Sequence, residues 1–188
     1  MANKPLPSPE VLRQLLRYEP ETGKLFWKKR GPEWFSSSQY QKTWNSQYSH
    51  KEVGCRNKVD GYRFFSCRGV LIKTHRAIWA MVHDEWPFVA IDHINGIRTD
   101  NRIENLRSVT RQENQRNMQT PSHNSTGAMG VTWDKKNRKW RATIQVSRKS
   151  ISIGRYRCIT SAIIARKAAE VKYGFHENHG RAGRSVLT

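Results

Sequence analysis

Histidine, carboxylate and amide side chains that could assist a metal-dependent hydrolysis lie close together in one stretch of the chain, between residues 92 and 114. An imidazole has an ordinary pKa near ~6.5 and accepts a proton from water near neutral pH, so His93 is the candidate general base. Negative charge gathers on the phosphate during cleavage, and a divalent cation can neutralise it. Asp92 and Asn114 offer hard oxygen ligands, which suit one Mg²⁺ or Mn²⁺ ion per site better than a thiophilic metal.

A small scaffold must position these side chains. Val89–His93 reads as a strand, and Leu106–Val109 as a second strand after a turn at Asn95-Gly96. Thr110 with Glu113 three residues later is a capping box, so a helix is expected to begin there and to carry Asn114 in its first turn. The local unit is therefore strand, loop, strand and helix.

Two positional questions follow from that unit. Neighbouring residues of a strand point to opposite faces, so Asp92 and His93 can serve one phosphate only if the backbone bends there. Asn105 is expected to brace the loop through hydrogen bonds to the backbone and so to keep His93 oriented. By turn chemistry, Asp100, Asn101 and Glu104 are expected to form the loop and not to bind a metal.

The segment resembles the motif of the HNH endonucleases, closest to the homing enzymes that phages carry. The matching residues are Asp92-His93, then Asn105-Leu106, then Asn114 after Thr110. The block from His75 to Trp79 resembles the segment that precedes the motif in those enzymes. Their last His is Asn114 here, a variant that phage homing enzymes also show. The resemblance implies a bend after the first strand, with His93 and Asn105 as catalytic residues and Asp92 and Asn114 as metal ligands. His75 is a second candidate, which packs or contacts a phosphate.

The composition agrees with a polyanionic partner. The 188 residues include 34 Lys and Arg against 15 Asp and Glu, a formal net charge of +19. An excess of this size favours nucleic acid as the partner, and a basic but merely solvated surface is the plain alternative. A membrane partner is disfavoured, because no segment approaches ~20 consecutive apolar residues. Double-stranded DNA is the expected partner, although charge alone does not separate DNA from structured RNA.

Three cysteines, Cys55, Cys67 and Cys158, form no paired motif. Such a sparse set indicates ordinary thiols in a reducing compartment. A zinc site made from Cys55, Cys67 and His75 is the alternative, and it lacks the usual paired spacing. Residues Met1–Pro5 have no apolar core, so no secretory signal is expected there. The expected location is the cytoplasm, which is the host cytoplasm for a phage-encoded protein.

Before the motif, the patterns predict a helix, a loop, a hairpin and a second helix. The first helix is expected over Ser8–Tyr18, with Lys24–Lys28 as a strand. Arg30–His50 reads as a long loop or an insertion, which could contact DNA. A hairpin turning at Arg68-Gly69 precedes a helix over His75–His83, which is expected to bury Ile78, Trp79 and Val82.

After the motif, the polar stretch from Thr120 to Thr126 reads as a linker. A first strand is expected over Met129–Trp133. Trp140, Ala142, Ile144 and Val146 then alternate with polar residues, which predicts a strand with one apolar face, and Ile151 and Ile153 continue that face in a third strand. Thr160 is expected to cap a helix with a small-residue face, and Gly174 to end it.

The segment from Gly130 to Ala182 resembles the APETALA2-type DNA-binding domain, through Gly130-Val131, Lys139 to Ala142, Ile153 to Tyr156 and the Ala-rich helix. That resemblance implies a three-stranded sheet laid in the major groove. The outward face would carry Arg141, Thr143 and Gln145. The phosphate contacts would come from basic residues around it, namely Arg138, Lys139, Arg148, Lys149, Arg155 and Arg157. A solvated polar face is the alternative.

The sequence thus predicts an α+β protein. An N-terminal HNH nuclease domain at residues 1–119, with a ββα-metal core at about 88–118, precedes a linker at 120–127. A three-stranded antiparallel sheet packed on one helix follows at 128–188. The expected function is divalent-metal-dependent DNA cleavage at a site held by the C-terminal sheet, and a homing-type nickase that acts as a monomer is expected. A non-catalytic DNA-binding regulator with a degenerate HNH unit is the alternative.

Overall fold

The computed structural model describes residues 4–110, 113–114, 117, 120, 124–177 and 179–180. The chain is a mixture of helices and several small antiparallel sheets. It divides into two compact units, residues 1–108 and 109–188. The linker expected at 120–127 stays a prediction, and its residues 121–123 lie outside the described part, as do residues 111–112, 115–116 and 118 of the expected ββα core.

The first unit begins with a short helix and a hairpin. Helix α1, Pro9–Leu15, starts where the Val11 N–H donates to the Ser8 hydroxyl, and Pro9 suits its first turn because no N–H is needed there. The expected helix to Tyr18 is wrong over its last three residues, Leu16–Tyr18. Strand β1, Leu16–Glu19, pairs instead with β2, Lys24–Trp27. The spacing of the apolar residues up to Leu16 is compatible with a helix or a strand, and pairing with β2 makes Leu16–Glu19 a strand.

The expected loop at Arg30–His50 is also wrong, because it contains helix α2, Ser38–Tyr48. The Ser37 hydroxyl accepts from the Tyr40 N–H and caps the helix. None of its residues is buried. Asn45 holds the helix to the preceding segment, because its amide both accepts from the Arg30 N–H and donates to the Arg30 carbonyl.

A three-stranded sheet and a helix form the centre of the first unit. The order is β3, Cys55–Arg56, then β4, Arg63–Cys67, then β5, Val70–Lys73, and helix α3, Thr74–His83, follows directly. The core is built from apolar residues of α1, α3 and the three sheets of this unit, chiefly Leu12, Leu15, Leu16, Leu25, Phe65, Ile72, Ile78, Ile91 and Leu106. Ile78 is buried, as expected, and Trp79 is half-buried. The burial expected at Val82 is wrong, because this side chain is 45% exposed.

Two further strands carry the motif. Strand β6, Ala90–His93, pairs with β7, Leu106–Val109. A short 3₁₀ helix, Ile103–Asn105, leads into β7. Ile91 and His93 are buried whereas Ala90 and Asp92 are partly exposed, which is the alternation of a strand with one face on the core. The Ile94 N–H donates to the Asn105 carbonyl at 2.9 Å and closes the hairpin beyond β6.

The second unit contains a three-stranded antiparallel sheet and a helix. Strands β8, Val131–Asp134, β9, Lys139–Val146, and β10, Lys149–Tyr156, lie in the order β10-β9-β8. Helix α4, Ile159–Lys172, packs on the face made by Val131 and Ala142. Small side chains on α4, with Ala162 fully buried, let it approach the sheet closely.

The ends of these elements differ in part from the expectations. Strand β8 begins at Val131 and ends at Asp134, whereas Met129–Trp133 was expected. The N-cap of α4 is Cys158 and not Thr160: the Ser161 N–H donates to the Cys158 sulfur at 3.4 Å. Gly174 follows the last turn as expected. Its φ is +66°, a left-handed backbone conformation that glycine adopts without strain. The turn between β9 and β10 places Ser147 and Arg148 at positive φ, 49° and 66°. Within the described residues, every helix is too short or too polar to span a bilayer.

Candidate active site

His93 lies at the end of β6 with its ring enclosed by protein. The side chain is 1% exposed, and its Nε2 lies 2.8 Å from the Asn101 Oδ1. An amide oxygen only accepts, so this bond assigns the proton to Nε2 and the remaining lone pair of the neutral ring to Nδ1. Burial lowers the pKa of His93, while the Asn101 hydrogen bond and the Asp92 charge oppose that change. The ring is therefore held neutral, the form able to accept a proton.

Two aromatic side chains pack around His93. The His75 ring centre lies 5.1 Å from that of His93, and Tyr62 approaches both rings, at 4.9 Å from His75 and 5.8 Å from His93. His75 is itself buried, and burial followed by the proximity of His93 lowers its pKa to about 3. His75 therefore packs as a neutral ring against the candidate base. Its sequence-based alternative, contact with a phosphate, stays a prediction.

Asn105 braces the loop between the two strands. Its Oδ1 accepts from the Asn95 N–H at 2.9 Å, and its Nδ2 donates to the Asp100 carbonyl at 2.7 Å and to the Asn95 Oδ1 at 3.0 Å. The residue is buried, so each of these bonds replaces contact with water. The geometry is that expected from the sequence, an amide that ties both ends of the loop to the start of β7.

Asn101 is the residue that sequence reasoning missed, because it was expected only to shape the loop. It is 2% exposed and contacts His93 directly. Its backbone is anchored as well, since the Tyr18 hydroxyl donates to the Asn101 carbonyl at 3.1 Å and accepts from the Ile103 N–H at 2.9 Å. A polar residue eight positions after a candidate base carries no signal of such contact in sequence alone.

The turn between β1 and β2 supports the same loop. Gly23 has φ +70°, and a Cβ on it would lie 2.5 Å from the Arg102 backbone nitrogen and 2.6 Å from the Asn101 carbonyl carbon. Neither backbone atom can shift without a cost in free energy. The turn therefore approaches the loop more closely than a residue with a Cβ would allow. Asp100 adds a further tie, because its carboxylate accepts two bonds from the Arg102 guanidinium, both at 2.9 Å.

Asp92 points to the other side of β6, toward the partner strand. Its Oδ2 accepts from the Arg107 Nε at 3.3 Å and from a terminal nitrogen of the same guanidinium at 3.0 Å. The carboxylate side chain is 12% exposed. Strand alternation thus continues through His93, and the bend that the family resemblance implies at this point stays a prediction.

Asn114 belongs to the second unit, where the expected capping box is present. The Thr110 N–H donates to the Glu113 Oε2 at 2.7 Å, and the Glu113 N–H donates to the Thr110 hydroxyl at 3.3 Å. The Asn114 N–H then donates to the Thr110 carbonyl, and Asn114 is exposed in a helical conformation. Its convergence with Asp92 and His93 stays a prediction.

The donor set suits a hard cation with few protein ligands. In the part of the chain that the structure describes, no group of three or more His, Cys, Asp and Glu side chains is arranged to hold a metal. Asp92 and Asn114 are the two ligands that the sequence predicts, one a carboxylate and the other an amide oxygen, and their joint role stays a prediction. Mg²⁺ commonly keeps several waters and takes one or two carboxylates plus phosphate oxygens, so such a short set fits its chemistry. Cys55, Cys67 and Cys158 are free thiols.

The second unit carries the residues proposed to contact DNA on and around its sheet. Arg141 and Gln145 are exposed on the face opposite α4, whereas the half-buried Thr143 donates its hydroxyl to the Gly130 carbonyl at 3.3 Å. Arg155 is exposed but its Nε donates to the Asp134 carboxylate at 2.9 Å. The remaining basic candidates are all exposed, namely Arg138, Lys139, Arg148, Lys149 and Arg157.

Comparison with known proteins places a family on one part of this chain. Residues 73–116 match the HNH endonuclease family, a range that starts at the end of β5 and runs past β7 and the capping box. The chain is also similar to Protein 3.8 of Escherichia phage T7, 33% identical over 78 residues, which are 41% of this chain. The matched part spans 64% of that relative's length, just under two thirds. No solved structure matches.

The match and the site agree in position. The matched range contains the candidate base, the amide that braces the loop and the capping box, and HNH endonucleases generally depend on a divalent metal ion. A nuclease domain implies a nucleic-acid substrate. Residues 73–116 are therefore similar to an HNH endonuclease domain, and this match suggests a nuclease-type function.

Proposed function

We propose that this chain is a divalent-metal-dependent DNA endonuclease that hydrolyses a phosphodiester bond at a site held by its C-terminal sheet, and that it acts as a homing-type nickase. The observation that carries the proposal is the neutral, oriented imidazole of His93 inside the segment that matches the HNH endonucleases. A base held neutral by burial has the lone pair needed to take a proton from an attacking water at physiological pH, once a water can reach the ring.

The roles of the remaining side chains follow from their chemistry. Asp92 and Asn114 would hold Mg²⁺ or Mn²⁺, which when bound neutralises the charge that develops on the phosphate and the leaving oxygen. Arg107 donates two hydrogen bonds to the Asp92 carboxylate and so fixes its orientation near the end of β6. Asn105 and Asn101 position His93, the first by bracing the loop and the second by direct contact with Nε2.

The burial of His93 adds a requirement. A base that is 1% exposed cannot reach a water at a phosphate unless a neighbouring side chain moves. Tyr62 packs against both His75 and His93, and the proposal requires that a side chain of this group rotates when substrate binds. Apo active sites commonly tighten or rearrange in the substrate complex, so this requirement is compatible with catalysis.

DNA binding is assigned to the second unit. Its sheet turns polar side chains away from α4, with Arg141 and Gln145 exposed and Thr143 between them. A β-sheet can enter the major groove, and side chains on its outward face would read base edges while flanking Arg and Lys contact phosphates. The similarity to APETALA2-type domains, read from the sequence, supports this assignment. The partner is double-stranded DNA, and the protein acts as a monomer in the host cytoplasm.

The nuclease proposal is tested by incubating the purified full chain with supercoiled plasmid and Mg²⁺, with and without a chelator. We expect relaxed circles that disappear with the chelator and with His93→Ala. His83→Ala is the matched control, since His83 lies exposed on the last turn of α3. Equal nicking by His93→Ala would end the proposal for that base.

The alternative function is a DNA-binding regulator with a degenerate HNH unit. It is favoured if the full chain shifts its cognate DNA in a gel and yet converts no plasmid with Mg²⁺ or Mn²⁺.

The assignment of DNA binding to the sheet has its own test. Arg141→Ala should lower the affinity for the cognate duplex, because it removes a charged side chain from the outward face. Lys172→Ala removes the same charge from the exposed side of α4 and should leave the affinity nearly unchanged. Equal losses in the two variants would mean that general charge, and not the sheet face, determines binding.

A further inference from the structure

An aromatic groove lies in the first unit, apart from the His93 loop. It is formed by helix α2 and the segment just before it, and its volume is about 530 Å³. Five aromatic rings line it, from Trp34, Phe35, Tyr40, Trp44 and Tyr48. The groove is open, since Tyr40 is 67% and Tyr48 39% exposed. Its size falls within the roughly 300–1,000 Å³ of ligand sites, yet none of the residues of α2 is buried in the core.

The rings are held in place from behind. The Arg30 guanidinium lies 3.8 Å from the ring centre of Trp44 and 4.6 Å from that of Trp27. Trp44 also packs edge-on against Trp27 at 5.6 Å and contacts Tyr48 at 5.4 Å. Gln41 donates to the Arg30 carbonyl at 3.0 Å and fixes the helix on this support. The groove is therefore formed before any ligand arrives, so its side chains would lose little conformational entropy on binding.

The arrangement of the rings suits flat ligands that follow one another. Tyr40, Trp44 and Tyr48 are four residues apart and lie on one side of α2, with successive positions about 6 Å apart along its axis. Tyrosine hydroxyls and the side chains of Ser36, Thr43 and Gln47 give the groove a polar rim. Flat faces with polar edges are the chemistry of nucleobases, whereas an aliphatic partner would leave these polar groups without hydrogen bonds.

The surrounding charge selects an anionic ligand. Residues 28–51 contain five Lys and Arg and one acidic residue, Glu33, and α2 contains no acidic residue. Basic surroundings attract a phosphate backbone, and aromatic faces accept bases that are not already stacked in a duplex. Sequence-tolerant binding of single strands combines these two features.

We propose that the aromatic groove binds single-stranded DNA through stacking of unpaired bases on Tyr40, Trp44 and Tyr48. The proposal rests on the proposed nuclease function, because it takes the substrate to be DNA. It adds a site for bases released from the duplex, distinct in position from the His93 loop and from the sheet of the second unit.

The test measures binding without cleavage. The full chain is titrated into a fluorescein-labelled 12-nucleotide single strand without self-complementarity, and separately into the same sequence as a duplex, with chelator present and salt fixed. Fluorescence anisotropy gives the two Kd values. The double variant Tyr40→Ala/Tyr48→Ala removes two rings, and we expect its Kd for the single strand to rise roughly tenfold or more, while the Kd for the duplex changes less than twofold.

Two control variants separate stacking from other causes. Tyr40→Phe/Tyr48→Phe keeps the rings and should bind the single strand within about threefold of the parent chain. Ser46→Ala alters α2 outside the groove and should have no effect. Circular dichroism checks folding. If the double Ala variant does not fold, Tyr40→Ala alone is used, since Tyr40 is the more exposed ring, and it should still weaken single-strand binding severalfold.

Several results would overturn the proposal. They are an unchanged Kd for the single strand in the Ala variants, an equal loss for the duplex, or no single-strand binding by the parent chain. A concentration-dependent dimer that the Ala variants abolish in sedimentation would assign the groove to a second copy instead. These outcomes are separate from the plasmid assay: nicking without single-strand binding removes the groove proposal alone, and single-strand binding without nicking removes the nuclease function alone.

Discussion

Replacement of Asn105 by alanine should loosen the loop that carries the candidate base. The change removes three hydrogen bonds, of 2.7, 2.9 and 3.0 Å, from a buried side chain and leaves the Asn95 N–H and the Asp100 carbonyl without that partner. A buried bond contributes about 0.5–1.5 kcal/mol net, and an orphaned partner costs more, so the loss should be about 2–4 kcal/mol. The free energy of opening of the β6–β7 hairpin should fall by this amount.

Hydrogen exchange measures that free energy locally. The Ile94 N–H donates to the Asn105 carbonyl and reports on the hairpin, and its exchange should accelerate roughly 30- to 700-fold in Asn105→Ala. Asn105→Asp keeps an acceptor for the Asn95 N–H but loses the donated bonds, so an intermediate rate is expected. Asn137→Ala, in an exposed turn of the second unit, should leave this amide unchanged. An unaltered Ile94 rate in Asn105→Ala would refute the idea that the amide holds the loop.

Four further changes test the surroundings of the site and the second sheet. Tyr18→Phe removes the hydroxyl that joins Asn101 to Ile103 and should cost about 1 kcal/mol, seen as a lower urea midpoint at constant slope; an unchanged midpoint would contradict it. Gly23→Ala should cost more, about 2–3 kcal/mol, because both the positive φ and the close loop backbone oppose a Cβ, and a soluble variant of parental stability would disprove this close packing. The Arg102 hydrogen bonds lower the pKa of Asp100 to about 2, so the ionised carboxylate stabilises the folded state by about 1 kcal/mol above pH 4. This contribution is lost as the pH falls from about 4 to 2. Asp100→Asn should flatten that part of the stability–pH curve, and a curve identical to the parent's would count against the pairing. Arg148→Gly relieves a positive φ and should raise the melting temperature of the second unit by an amount equivalent to about 0.5–1 kcal/mol, even if DNA affinity falls, whereas a lower melting temperature would show that the turn is not strained.

The parts of the fold that the sequence predicts best are those with a strict period. Strand β9 follows from the alternation of Ala142 and Ile144 with polar neighbours, and both are buried as expected. The capping box at Thr110 follows from two residue types at one spacing. Helix α2 escapes the same reasoning because it buries no side chain, so its apolar residues show no core-facing stripe. Its signals were Ser37 before the helix and aromatic residues four apart.

Within the candidate site, local geometry was predictable and contact across the loop was not. The bracing bonds of Asn105 follow from an amide placed just before a strand, where both ends of a loop meet. The contact between His93 and Asn101 depends on how that loop folds back, and on Tyr18 more than eighty residues earlier. Sequence spacing records neither, because the loop path is set by tertiary packing against the β1–β2 hairpin.

The dependence of the His93 loop on Tyr18 and Gly23 also orders events during synthesis. The hairpin that holds these two residues leaves the ribosome well before the loop, whereas its contacts with the loop span about eighty positions and can form only after the loop has emerged. Contacts between such distant positions form slowly, because a long chain segment must first be closed. A nascent or truncated chain would therefore carry His93 without its oriented environment, and we expect hydrolytic competence to arise only when the N-terminal unit is complete.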